Sequence, residues 1–73
     1  MTTQEAHAYP VGKYLVSPLT RRTESGRYAA AVSIRRGTHD RVYRFTPRFA
    51  TREGARVFAV SEGLSLLHTQ DLT

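Results

Sequence analysis

The chain has 73 residues, no cysteine and a net charge of +5. A chain of this length makes one domain with a small core; disulfides and thiolate metal sites are excluded, and no apolar run approaches the roughly 18 residues of a membrane span. The charge is concentrated: ten arginines lie between Arg21 and Arg56 against only Glu24, Asp40 and Glu53, a net of +7, while Lys13 meets Glu5, Glu62 and Asp71 elsewhere, a net of −2. A localised positive surface attracts polyanions or an acidic partner. A solvated arginine-rich surface with no partner gives the same composition.

Residues 1–9 are polar and without period, and predict a flexible tail. They carry neither the basic start nor the apolar stretch of a signal peptide, so the cytoplasm is the expected location. The Tyr9-Pro10-Val11-Gly12 stretch predicts an irregular lead-in to a single domain spanning 10–69, with 70–73 as a second tail.

Lys13 to Arg22 predicts the first strand, with Leu15, Ser17 and Leu19 on one face and Tyr14, Val16, Pro18 and Thr20 on the other. Pro18 cannot donate to a ladder, so this strand belongs at an edge or carries a bulge. Thr23-Glu24-Ser25-Gly26 is a hairpin loop. Arg27 to Arg36 has the period of two of a half-buried strand: Tyr28, Ala30, Val32 and Ile34 alternate with Arg27, Ala29, Ala31, Ser33 and Arg35. Gly37 to Asp40 predicts a second loop. Arg41 to Thr46 predicts a third strand with Tyr43 and Phe45 on one face, ended by Pro47.

Thr51 is an N-cap candidate, with Glu53 in the first turn where a negative charge suits the helix dipole. The helix should run to about Leu67 and has two apolar faces. One is small: Ala55, Phe58, Ala59 and Leu66, flanked by Gly54 and Gly63. The other is Val57, Val60, Leu64 and Leu67. Either can pack on the sheet, and the small face permits the closer approach. Phe49 plugs the core under both arrangements. The expected fold is α+β, a three-stranded antiparallel meander covered by one C-terminal helix.

No motif points to catalysis. His7, His39 and His68 lack partners at metal-ligand spacing, the serines lack an elbow or a base, and no glycine cluster matches a phosphate loop. No cofactor, metal or small-molecule substrate is expected. One helix covers one face of such a sheet, and the other face must meet solvent or a partner. With Tyr28, Val32, Ile34, Tyr43 and Phe45 toward the helix, the open face carries Arg27, Ala29, Ala31, Ser33, Arg35, Val42 and Arg44. Small side chains between arginines let the backbone approach a groove while planar guanidinium forks reach phosphates or guanine edges. Arg21, Arg22, Arg36, Arg41 and Arg48 fall near strand ends, where phosphate contacts are natural. Edge and face arginines also serve simply to prevent sheet-to-sheet aggregation.

The segments Gly26-Arg27-Tyr28-Ala29-Ala30, Arg41-Val42-Tyr43-Arg44-Phe45 and Thr51-Arg52-Glu53-Gly54-Ala55 resemble the plant ethylene-response-factor DNA-binding domain and, more loosely, the arm-binding domains of phage integrases. A small bacterial family of the same shape fits as well. The resemblance implies a three-strand-plus-helix fold whose open sheet face enters the DNA major groove, with Arg27 and Arg44 facing the groove. Tyr28 and Tyr43 stand where the plant family carries Trp. The leading functional expectation is a non-enzymatic nucleic-acid binder, favouring duplex DNA. The alternative is a homodimer or protein-interaction module built on Val57, Val60, Leu64 and Leu67.

Overall fold

A computed structural model of the chain describes residues 8–70, without the side chains of Thr69 and Gln70. The expected tails fall largely outside the described residues. Four strands form one antiparallel meander in the order β1 (Tyr9–Val11), β2 (Tyr14–Arg22), β3 (Tyr28–Arg36) and β4 (His39–Phe49), followed by α1 (Arg52–Gln70). The α+β class and the C-terminal helix match the pattern, but the sheet has four strands rather than three. The fourth is β1, in the stretch predicted as irregular. Gly12, at a φ of 61°, opens a two-residue turn with Lys13 that folds Tyr9–Val11 back onto β2. A glycine at the first position of a two-residue hairpin supplies positive φ at no steric cost.

Among the described residues β1 covers β2 only as far as the Tyr9↔Val16 pair, so from Ser17 onward β2 has no described neighbour on that side, and Pro18 sits on that stretch. β4 is longer than predicted at both ends. The β3–β4 connection is a two-residue turn, Gly37-Thr38, with Gly37 at a φ of 60°, which places His39 and Asp40 in the strand. Pro47 does not end β4. It lies in a bulge, where Phe45, Thr46 and Pro47 stand against Ala30 alone, between the Ala31↔Arg44 and Ala29↔Arg48 pairs. A residue without an N–H is tolerated where the ladder is already interrupted. The bulge adds two residues, and the side-chain period is two, so Phe45 and Phe49 stay on the same face.

α1 lies over β2 and β3 and touches β4 less. Its small face is the one that packs. Ala55 and Ala59 are fully buried, together with Val16, Val32 and Ala30 from the sheet. Gly63 completes this seam: a Cβ there would stand 2.9 Å from Val32 Cγ2 and 3.1 Å from Val16 Cγ1. Larger side chains close the flanks. Phe58 meets Phe45 edge-on, with centroids 5.3 Å apart, and Phe49 at 5.0 Å. Leu67 packs against the core from the last turns of the helix.

The helix entry is fixed by Thr51, whose Oγ1 accepts the Gly54 N–H at 2.9 Å, so one otherwise orphaned donor is satisfied. Arg56 donates to both Glu53 oxygens and, at 2.9 Å, to the Tyr9 hydroxyl, linking α1 to β1. The Glu53 carboxylate, by hydrogen bond and charge, raises the Arg56 pKa above its ordinary value, with a smaller contribution from Tyr9. No described helix is long and apolar enough to cross a membrane.

The close approach at Gly63 makes a direct prediction. Alanine is worth about 1 kcal/mol over glycine in a free helix, yet overpacking against two immobile valines costs about 1–3 kcal/mol. Gly63→Ala should therefore lower stability in urea unfolding. A gain of about 1 kcal/mol would mean that the helix does not seat at this point. Thr51→Ala should cost about 1 kcal/mol through loss of the cap, measured in the same way.

Candidate nucleic-acid interface

The register fixes what the face opposite α1 presents. Four cross-strand rows run over β2, β3 and β4: Leu15–Arg35–Asp40, Ser17–Ser33–Val42, Leu19–Ala31–Arg44 and Arg21–Ala29–Arg48. None of these residues has the parity of the buried Val16, Ala30 and Val32. Leu19 and Val42 remain 42% and 45% exposed, so this face is uncovered among the described residues.

Charge is not uniform along it. At one end Arg35 stands opposite Asp40, whose Oδ1 accepts a 2.6 Å hydrogen bond from the Ser33 hydroxyl. The Ser33 hydroxyl therefore holds the Asp40 carboxylate against the face, placing an acid at this end. At the other end Arg21, Arg44 and Arg48 surround Ala29 and Ala31 with no acid in the rows. Among the described residues the one ion pair is Glu53–Arg56, on the other side of the molecule, so Arg21, Arg44 and Arg48 have no ion-pair partner there. The arginines and the alanine floor bound a shallow cleft of about 350 Å³. Ala30 and Phe45, the residues flanking the bulge, also reach it. The Arg48 guanidinium donates to the Thr46 carbonyl at 3.0 Å, which orients it beside the bulge.

The arginines singled out from the sequence divide into two groups. Arg21, Arg35 and Arg44 lie on the open face, and Arg27 extends it at the β2–β3 turn, opposite Thr23. Arg22, Arg36 and Arg41 have the other parity, pairing with Tyr28, His39 and Ile34 on the helix side. Arg48 is next to last in β4, near the strand end as expected, and belongs to the open-face cluster beyond the bulge. Asp40 is the residue that sequence reasoning leaves in a loop, and the Gly37 turn signal is what would have placed it in the strand.

The helix stripe is also divided. Val57 and Leu64 are 55% and 41% exposed, Val60 is half-buried, and Leu67 belongs to the core. Of the histidines, His39 begins β4, His68 is exposed near the end of α1, and His7 lies outside the described residues. Among the described residues no three of His, Cys, Asp and Glu gather as a metal site would require. Comparison with family models, with curated proteins and with solved structures finds no match for this chain.

Two isosteric substitutions test which face is open. Val42→Thr, on the uncovered side, should change stability by no more than about 0.5 kcal/mol. Val32→Thr, on the neighbouring strand but under the helix, buries a hydroxyl without a partner and should cost about 1–3 kcal/mol. Equal losses in thermal unfolding would mean that the arginine-bearing face is covered.

Proposed function

We propose that the uncovered sheet face binds nucleic acid, with duplex DNA as the preferred form. The observation that carries this reading is the cluster of Arg21, Arg44 and Arg48 around an alanine floor, with no acid beside it. The protein has no enzymatic role in this reading. Arginine forks bind phosphate oxygens bidentately, and Ala29 and Ala31 let the backbone of β3 come close to a groove wall. The outer strands of the β2–β3–β4 segment are about 10 Å apart, near the roughly 12 Å width of a B-form major groove. Arg27 and Arg44 are also the groove-facing residues under the resemblance to plant three-strand DNA-binding domains, and Arg27 extends the positive surface at the adjoining turn. The Asp40 end of the face faces away from the phosphates in this arrangement.

A helix-mediated homodimer would rest on Val57 and Leu64, two side chains separated by Ser61, and is the weaker reading. By contrast, Arg21, Arg44 and Arg48 have no ion-pair partner among the described residues.

Neutralising about three phosphates gives a log–log salt slope near −3, hence a loss of about 50-fold in affinity from 50 to 200 mM salt. Gel mobility shift with a generic duplex measures it. Arg44→Ala with Arg48→Ala should weaken binding at low salt and flatten the slope by about 2. Asp40→Asn should tighten binding in the same assay. No shift at either salt concentration removes the proposal, and a double variant that binds like the parent moves the site off this face.

A further inference from the structure

A second cleft lies on the opposite side of the sheet, where the end of the β3–β4 hairpin projects beyond the C-terminal half of α1. Its volume is about 310 Å³, the space of about ten water molecules. Three basic-type side chains, Arg36, His39 and Arg41, line it and come from the same hairpin. Arg36 and His39 are directly opposite across the Gly37-Thr38 turn, and Arg41 is opposite Ile34. Directly opposite residues in an antiparallel pair place their Cβ atoms about 5 Å apart, so the donors gather at one end of the cleft.

The rest of the wall is apolar. Ile34, Leu66 and Leu67 form it with the half-buried rings of Tyr14 and Tyr43. The Arg36 guanidinium sits 5.7 Å from the centroid of the Tyr14 ring, which holds it over the cleft. Among the described residues no carboxylate lines the cleft, and neither Arg36 nor Arg41 has an ion pair. Two guanidinium groups beside an apolar pocket, without a compensating acid, match a ligand with the inverse pattern: one anionic head and one apolar body.

We propose that this cleft binds a small amphipathic organic anion, an aromatic or short-chain carboxylate, whose head meets Arg36 and Arg41 and whose body lies against Ile34, Leu66, Leu67 and the tyrosine rings. The carboxylate accepts charge-assisted hydrogen bonds from the guanidinium forks, and the body removes apolar surface from water. The positive groups are confined to one end of a half-open cleft whose other walls are apolar. That suits a single head group and not the extended track of phosphates along a nucleic-acid strand. The site shares none of Arg21, Arg44 and Arg48, so it stands or falls independently of nucleic-acid binding.

The probe is 2-naphthoate, titrated into the isotopically labelled chain and followed by amide chemical shifts. Shifts should saturate and centre on Ile34, Tyr43, Leu66 and Leu67. Arg36→Gln with Arg41→Gln should weaken binding about tenfold or more, as loss of two charge-assisted contacts implies. The neutral 2-naphthamide should bind the parent chain weaker by a similar factor. Arg44→Ala with Arg48→Ala should leave naphthoate affinity unchanged. If the Gln variant fails to fold, the naphthoate–naphthamide comparison on the parent decides. Absence of shifts at about 1 mM naphthoate, a millimolar dissociation constant being worth only about 4 kcal/mol, overturns the proposal. So do equal affinities for acid and amide. Displacement of naphthoate by a single-stranded oligonucleotide also overturns it, because the cleft would then be a nucleic-acid site.

Discussion

The close seating of α1 through Ala55, Ala59 and Gly63 onto Val16 and Val32 is the contact on which the rest of the molecule depends. A chain of 73 residues without disulfides has little apolar volume to bury, and among the described residues the buried side chains are valines and alanines only. Small residues allow the helix axis to approach the sheet, and the gain is close packing of many atoms rather than burial of a few large ones. The aromatic side chains then act as walls. Phe58 fills the gap toward β4 against Phe45 and Phe49, and Arg52 lies 5.3 Å over the Tyr28 ring near the helix entry. The described molecule is only 16 Å thick in its shortest direction, the depth of one helix on one sheet.

Two consequences follow from that seating. First, one helix lying over β2 and β3 leaves the reverse of the sheet uncovered among the described residues. The period of two then directs Arg21, Arg35, Arg44 and Arg48 to that side. The bulge at Pro47 preserves this division because it adds an even number of residues, so Arg48 stays with Arg44 and Phe49 with Phe45. Second, α1 reaches β4 only in part, so the far end of the β3–β4 hairpin stands clear of the helix. Arg36 and Arg41 there line the rim of a half-open hollow. The two cationic regions thus have one origin, a sheet wider and longer than its single covering helix.

Much of this was legible in the sequence. Alternation in Tyr28–Arg36 predicts both faces of β3, and Tyr43 and Phe45 predict those of β4. The Ala55, Ala59 and Gly63 spacing offers a close-packing face, and Thr51 marks the helix start. The parts that differ have local physical causes. β1 is three residues long and contains Pro10, so it has no period to detect; its signal is the Gly12-Lys13 turn. Pro47 reads as a terminator because isolated propensity cannot anticipate a bulge that the tertiary packing of Phe49 stabilises. Asp40 depends on the tight Gly37-Thr38 turn and Arg48 on the bulge, and so the balance of charge on the open face was not legible. The stripe of Val57, Val60, Leu64 and Leu67 looks continuous on a helical wheel. The actual rotation of the helix turns Leu67 inward and leaves Val57 and Leu64 out.

The central claim is that the arginine-bearing side of the sheet, and not the helix, meets the polyanion. Amide and methyl chemical-shift mapping during titration with a short DNA duplex addresses it most directly. The account predicts the largest changes at Leu19, Ala29, Ala31, Val42 and Arg44, with Ala55, Ala59 and Val57 nearly unmoved. Changes centred on α1, or none at low salt, would contradict it.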